Sequence, residues 1–183
     1  GLAVVAESHL PPMIWGQAQL PPYQYNPDKA RQLLAQAGYP NGFKTELWYM
    51  SAARTYYPDP KVMGEVLQAM LADVGVEVDL KAVDWGSYLE RVGKGEHQMA
   101  LGGWVGDTGD PDNYLYVMLD DNNVNRQRGG SNLCLFKDPD VHQRLLKARQ
   151  IVIQEDRAKL YSEAQVFIHQ RCPSLPLVHA PQV

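Results

Sequence analysis

The sequence has only two cysteines, Cys134 and Cys172, no run of basic residues, and no apolar stretch near the roughly 18 to 20 residues that a membrane-spanning helix needs. Two thiols cannot form a tetrahedral thiolate metal site. They leave open either two buried or idle thiols or one Cys134–Cys172 disulfide. A formal net charge of -4 and a pI near 5.7 give no electrostatic footprint for nucleic acid. Also absent are a Gly-X-Ser-X-Gly elbow, a P-loop, a dinucleotide fingerprint and a His-Glu-X-X-His pair, and His97, His142 and His169 are scattered without ligand spacing. An enzyme reading therefore has no anchor, and no catalytic residue, metal ligand or cofactor is assigned. No internal repeat or low-complexity tract is present.

With 45% hydrophobic and 21% charged residues in 183, the composition suits one globular domain with a sizeable core. Asn26-Pro27, Asp59-Pro60 and Asp138-Pro139 each precede apolar residues at helical spacing, the pattern of an N-cap followed by proline in the first turn. The first predicted helix carries Ala30, Leu33, Leu34 and Ala37 before Gly38. The second carries Val62, Met63, Val66, Leu67, Met70, Leu71 and Val74 before Gly75. Residues 44–50 read as a strand, and the alternation at 76–82 marks another with one wet face. A short helix follows at about 85–92, capped by Asp84, and then a strand ending at Trp104. Further on, 120–132 reads as a long loop, 138–153 and 156–170 as helices, and 174–179 as a last strand made an edge or bulged one by Pro176. Strands alternating with helices predict parallel pairing, with all strand carboxyl ends along one rim where ligands bind.

The most informative segment runs Gly102-Gly103-Trp104-Val105-Gly106-Asp107-Thr108-Gly109-Asp110-Pro111-Asp112-Asn113, a glycine-rich acidic turn directly after an apolar run. Glycines such as Gly103 let backbone come close to a bound molecule, and a carboxylate in such a turn can receive a cationic group. Arg54 follows one predicted strand as Asp107 follows another, so parallel strands put a base and an acid on one rim, an arrangement that suits a zwitterion. Trp104 is a candidate apolar wall as well as a candidate core aromatic, Tyr56 and Tyr57 are candidate cleft residues, and Trp85 and Tyr88 read as core. Asp107, Asp110 and Asp112 invite a calcium reading, but their spacing fails the EF-hand pattern.

Asp84-Trp85-Gly86-Ser87-Tyr88-Leu89, Gly95-Glu96-His97-Gln98 and the turn above occur in an order and spacing that resembles the dipeptide- and oligopeptide-binding proteins of bacterial ABC importers, solute-binding family 5. Tyr25-Asn26-Pro27-Asp28-Lys29-Ala30, Gly130-Ser131-Asn132 and the stretch from Arg157 through Gln165 to Leu175-Pro176-Leu177 agree with it. The resemblance implies an α/β fold with a mixed, largely parallel sheet and flanking helices, one lobe of a two-lobed periplasmic-binding-protein type II-like architecture. Residues 1–183 are then expected to be the carboxyl-terminal lobe of a longer protein whose other lobe is absent. The implied function is capture of short peptides for an ABC permease by a monomeric periplasmic or extracytoplasmic protein, with a membrane anchor left open for the whole protein. It places the ligand amine on Asp107 and, in dipeptide binders, its carboxylate on Arg54, which precedes Thr55-Tyr56-Tyr57-Pro58. Gly103, Trp104 and Tyr56 complete the expected site. Relatives can carry a disulfide in the loop before the position of Cys134, but the partner region here reads Asp120-Asp121-Asn122. Two alternatives remain: the same fold with another solute, such as a nickel complex, an oligosaccharide or an opine, or a metal-dependent hydrolase using the Asp107, Asp110 and Asp112 turn.

Overall fold

A computed structural model describes residues 3–180. The chain divides into two compact units. One comprises Gln24–Val92 with Glu96–Gly103, and the other comprises the chain up to Tyr23, Gly93–Gly95, and the chain from Trp104 onward. The elements are β1 (Val4–Val5), α1 (Pro27–Gln36), β2 (Phe43–Met50), α2 (Pro60–Ala72), β3 (Val76–Val83), α3 (Trp85–Gly93), β4 (Met99–Ala100), α4 (Asp112–Leu119), α5 (Pro139–Gln150), α6 (Gln154–Arg171) and β5 (Val178–His179).

The first unit is built on a three-stranded parallel sheet in the order β3-β2-β4. β2 pairs with β3 from Phe43↔Val76 to Met50↔Val83 and with β4 through Leu47↔Met99 and Trp48↔Ala100. The period-2 pattern of β3 appears as buried Val76 and Val78 alternating with exposed Glu77 and Asp79. The expected caps are in place, since Asn26 Oδ1 accepts from the Lys29 amide at 2.9 Å and Asp59 Oδ1 from the Val62 amide at 3.0 Å. Before β2 and β3 the backbone comes so close that a Cβ on Gly42, whose φ is +73°, would lie 1.7 Å from the Gly75 carbonyl oxygen. Helix α2 lies on the sheet through buried Gly64, which faces Leu80, while Met63, Leu67 and Leu71 are half-buried. Val62, Val66 and Met70, at four-residue spacing on the same helix, stay exposed. The apolar stripe read from the sequence is thus wider than the face that packs, and α1 buries none of its residues fully. Helix α3 is anchored by Tyr88, only 1% exposed, whose hydroxyl donates to the Leu101 carbonyl, with the Trp48 carbonyl 3.4 Å away.

The second unit is helical, around a core that includes Leu10, Leu115, Leu119, Val141, Leu145, Tyr161, Ala164 and Ile168. Asp138 starts α5 by accepting from the amides of Asp140 (2.9 Å) and Val141 (3.1 Å), and its second oxygen accepts from Arg171 Nε at 3.0 Å. Helix α6 ends on Cys172 in the left-handed conformation, φ 47°, with its amide on the Ile168 carbonyl. β1 and β5 form a two-residue antiparallel pair, so the strand expected over 174–179 is reduced to its last two residues. The strand expected to end at Trp104 likewise pairs only at Met99–Ala100, after which the glycines leave the ladder.

Sequence reading did not anticipate α4. Nor did it anticipate the order in the following loop, where a 3-10 turn spans Asp121–Asn123 and two fully buried polar residues hold the chain. Asp120 accepts from the Asn122 amide and pairs with His142 Nδ1 at 3.0 Å, and the Asn132 amide group donates to the carbonyls of Asp120 and Phe136. Such pairing is what burial of polar groups requires. Cys134 and Cys172 are free thiols, so no bridge joins them.

Candidate ligand-binding site

In the helical unit, Asn113 shapes the acidic turn. Its Oδ1 accepts from Trp104 Nε1 and from the Asp107 amide, both at 3.0 Å. The three aspartates of the turn then part company. Asp110 takes a two-pronged ion pair from Arg157 (2.8 and 2.9 Å), whose Nε donates to the Ala148 carbonyl at 3.1 Å. Asp112 accepts from the Tyr161 hydroxyl at 3.3 Å and faces Arg149 Nε at 3.4 Å; its partial burial pushes its carboxyl above the usual range. Asp107 is exposed, and its carboxylate has no partner among the described residues. A metal-dependent hydrolase would need all three carboxylates, and arginines already engage two of them. Among the described residues, no three His, Cys, Asp or Glu side chains are grouped to hold a metal ion. Trp104 is half-buried and packs against the helical core.

In the sheet unit, Arg54 and Tyr57 close a tight turn just past β2, each amide donating to the other's carbonyl at 2.9 Å. β2 and β3 are parallel neighbours in register to their last pair, Met50↔Val83, and Ser51 extends the ladder by donating to the Val83 carbonyl at 2.9 Å. Arg54 and Trp85 therefore leave adjacent strand ends, and the guanidinium of Arg54 lies 3.7 Å above the centroid of the Trp85 ring. Nε of Arg54 is buried and has no hydrogen-bond partner among the described residues. Beside this pair the Tyr56 ring presses on the backbone of Gly103, where an added Cβ would lie 2.2 Å from the ring. Burial pushes the Tyr56 hydroxyl up, against the opposing influence of Arg54.

The structure thus brings Arg54, Tyr56 and Gly103 into one unit and Trp104 and Asp107 into the other. Two contributors escaped the sequence reading. Asn113 lies within the quoted turn, and its amide chemistry beside an Asp-Gly-rich loop was the available signal. Trp85 was read as core from helical spacing, which cannot reveal what stacks on its ring.

Residues 1–126 match the model of the bacterial extracellular solute-binding proteins, family 5 middle. The chain belongs to this family. Heme-binding protein A of Haemophilus influenzae is 39% identical over 181 residues, covering 98% of this chain and 32% of that protein. The dipeptide-binding protein of Escherichia coli is 36% identical over 181 residues, covering 98% and 33%. An ABC transporter-associated periplasmic binding protein from Helicobacter pylori, solved in complex with peptide STSA, is 38% identical with a TM-score of 0.88, covering 98% of this chain and 34% of that one. This chain therefore spans about a third of the length of these family 5 relatives. Among the described residues, no helix is long and apolar enough to cross a membrane.

Proposed function

We propose that this chain is the carboxyl-terminal ligand-binding lobe of an extracytoplasmic family 5 protein that captures short peptides for an ABC importer and catalyses no reaction. Asp107 receives the peptide amine, Arg54 receives the peptide carboxylate, and Tyr56, Gly103 and Trp104 supply apolar and backbone surface. The observation that carries this reading is the split within the acidic turn. Asp110 and Asp112 are held by arginines, while Asp107 presents an unengaged carboxylate. Such a group can serve as counter-charge to an ammonium without first breaking an internal ion pair. Ligand contacts that favour a closed form of the whole protein then couple binding to recognition by the permease.

The test is a double-mutant cycle in the whole protein that carries this chain, crossing Asp107→Asn with amino-terminal acetylation of the dipeptide Ala-Phe. Each change alone should cost on the order of 2 to 5 kcal/mol of binding by calorimetry, because each leaves one charge of a desolvated pair without its partner. Together they should cost little more than either alone, since both remove the same pair. If Asp107→Asn binds free and acetylated peptide as the wild type does, Asp107 is only a turn residue.

A second reading keeps the fold and changes the solute. The planar guanidinium of Arg54 suits any carboxylate, including a heme propionate, and one relative is a heme-binding protein. Titration with hemin, followed in the Soret band and in competition with Ala-Phe, separates the two. Tighter binding of hemin than of any dipeptide would favour the second.

A further inference from the structure

We infer that Trp85 is the positioning residue for the carboxylate end of the ligand, holding the plane of the Arg54 guanidinium in which the incoming carboxylate docks. This inference rests on the role proposed for Arg54 and adds to it the residue through which that role is set and the mode of docking.

An arginine on a flexible stem makes a poor receptor, because its rotamer freedom must be given up when ligand arrives. Here that freedom is already restricted from two sides. The backbone of Arg54 is pinned by its paired 2.9 Å hydrogen bonds with Tyr57, and the guanidinium rests on the indole face 3.7 Å from its centroid. Trp85 is itself fixed. It opens α3, whose first turn is tied by Asp84 through its side chain to the Gly86 amide (2.9 Å) and through its carbonyl to the Tyr88 amide (2.8 Å). Its ring stacks at 13° on Tyr88, which is buried.

The stacking uses only the face of the guanidinium. All five of its N–H donors lie in the plane, and none is consumed by a cation–π contact. Arg54 has no hydrogen bond or ion pair with a described side chain, and Nε is buried without an acceptor. A planar carboxylate fits that plane, because its two oxygens can accept from two N–H groups of the fork as a parallel pair. The indole below keeps the fork in that plane.

The experiment measures, in the whole protein, dissociation constants for Ala-Phe and for Ala-Phe-amide, which lacks the carboxylate. The wild type should bind the acid more tightly than the amide. Trp85→Leu should weaken acid binding about 5- to 30-fold, from the exposed to the desolvated value of a cation–π contact, and change amide binding by no more than about twofold. Trp85→Phe keeps an aromatic face and most of the packing, so its acid-to-amide ratio should fall between those of wild type and Trp85→Leu. It carries the test if the leucine variant does not fold. Equal weakening of acid and amide in both variants would make Trp85 a packing residue and overturn the inference, as would an unchanged ratio. Failure of the wild type to distinguish acid from amide would instead remove the role of Arg54 itself.

Discussion

At the scale of single residues, His9 shows how one buried group ties stability to pH. Its Nε2 pairs with Ser174 Oγ at 2.8 Å and its ring lies 5.9 Å from that of Tyr114, with His169 and His179 as the neighbouring titratable charges. Burial, the largest cause, lowers its pKa from 6.5 to about 4, and the two histidines act in the same direction. Between those values the unfolded chain holds the proton that the folded chain excludes, so stability rises with pH through that window and is lost as pH falls from about 6.5 to about 4. The loss should be on the order of 3 kcal/mol at most. His9→Phe should flatten this part of the profile in urea melts recorded at successive pH values, and an unchanged slope would show that other groups carry it. His9 carries no motif, and its environment arises from segments 165 residues apart, so the sequence could not disclose it. Asp107 was legible because its turn is a local pattern. Arg54 was legible by its place after a strand, but Trp85 beneath it was not, because stacking depends on strand register.

At the scale of elements, local chemistry made the cap-and-proline starts of α1, α2 and α5 readable, and the alternation of strands and helices made the parallel order readable. The ends of pairing and the breadth of burial were not, because they depend on what packs alongside. Leu145 on α5 is fully buried in the helical core, while Val66, on the apolar stripe of α2, is 49% exposed. Leu145→Ala should therefore cost about 2 to 5 kcal/mol, from lost transfer energy and the cavity left behind. Val66→Thr should stay within about 0.5 kcal/mol, as expected for a surface position. Chemical denaturation of the two variants checks the contrast. A loss at Val66 as large as that at Leu145 would mean that the outer stripe of α2 is covered in solution.

At the scale of the whole molecule, the proposed charges are distributed over the two units, with Arg54 on the sheet unit and Asp107 on the helical unit. The family relatives are about three times as long as the stretch they share with this chain. A small ligand is held tightly when most of its surface is buried, and the polar anchors gain strength as water is excluded around them. If the rest of the whole protein closes over the ligand, this chain alone offers the anchors without that enclosure. An ion pair at either anchor then forms in a wet environment, where an exposed pair contributes about 0 to 1 kcal/mol. The isolated 183-residue chain should accordingly bind Ala-Phe at least about 100-fold more weakly than the whole protein. The residual binding should fade as salt is raised, because exposed charges are screened within about 10 Å at 0.1 M. Calorimetry on both proteins at two salt concentrations measures both effects. Equal affinity in the two would mean that this chain encloses its ligand unaided, and the two-lobe reading would have to be given up.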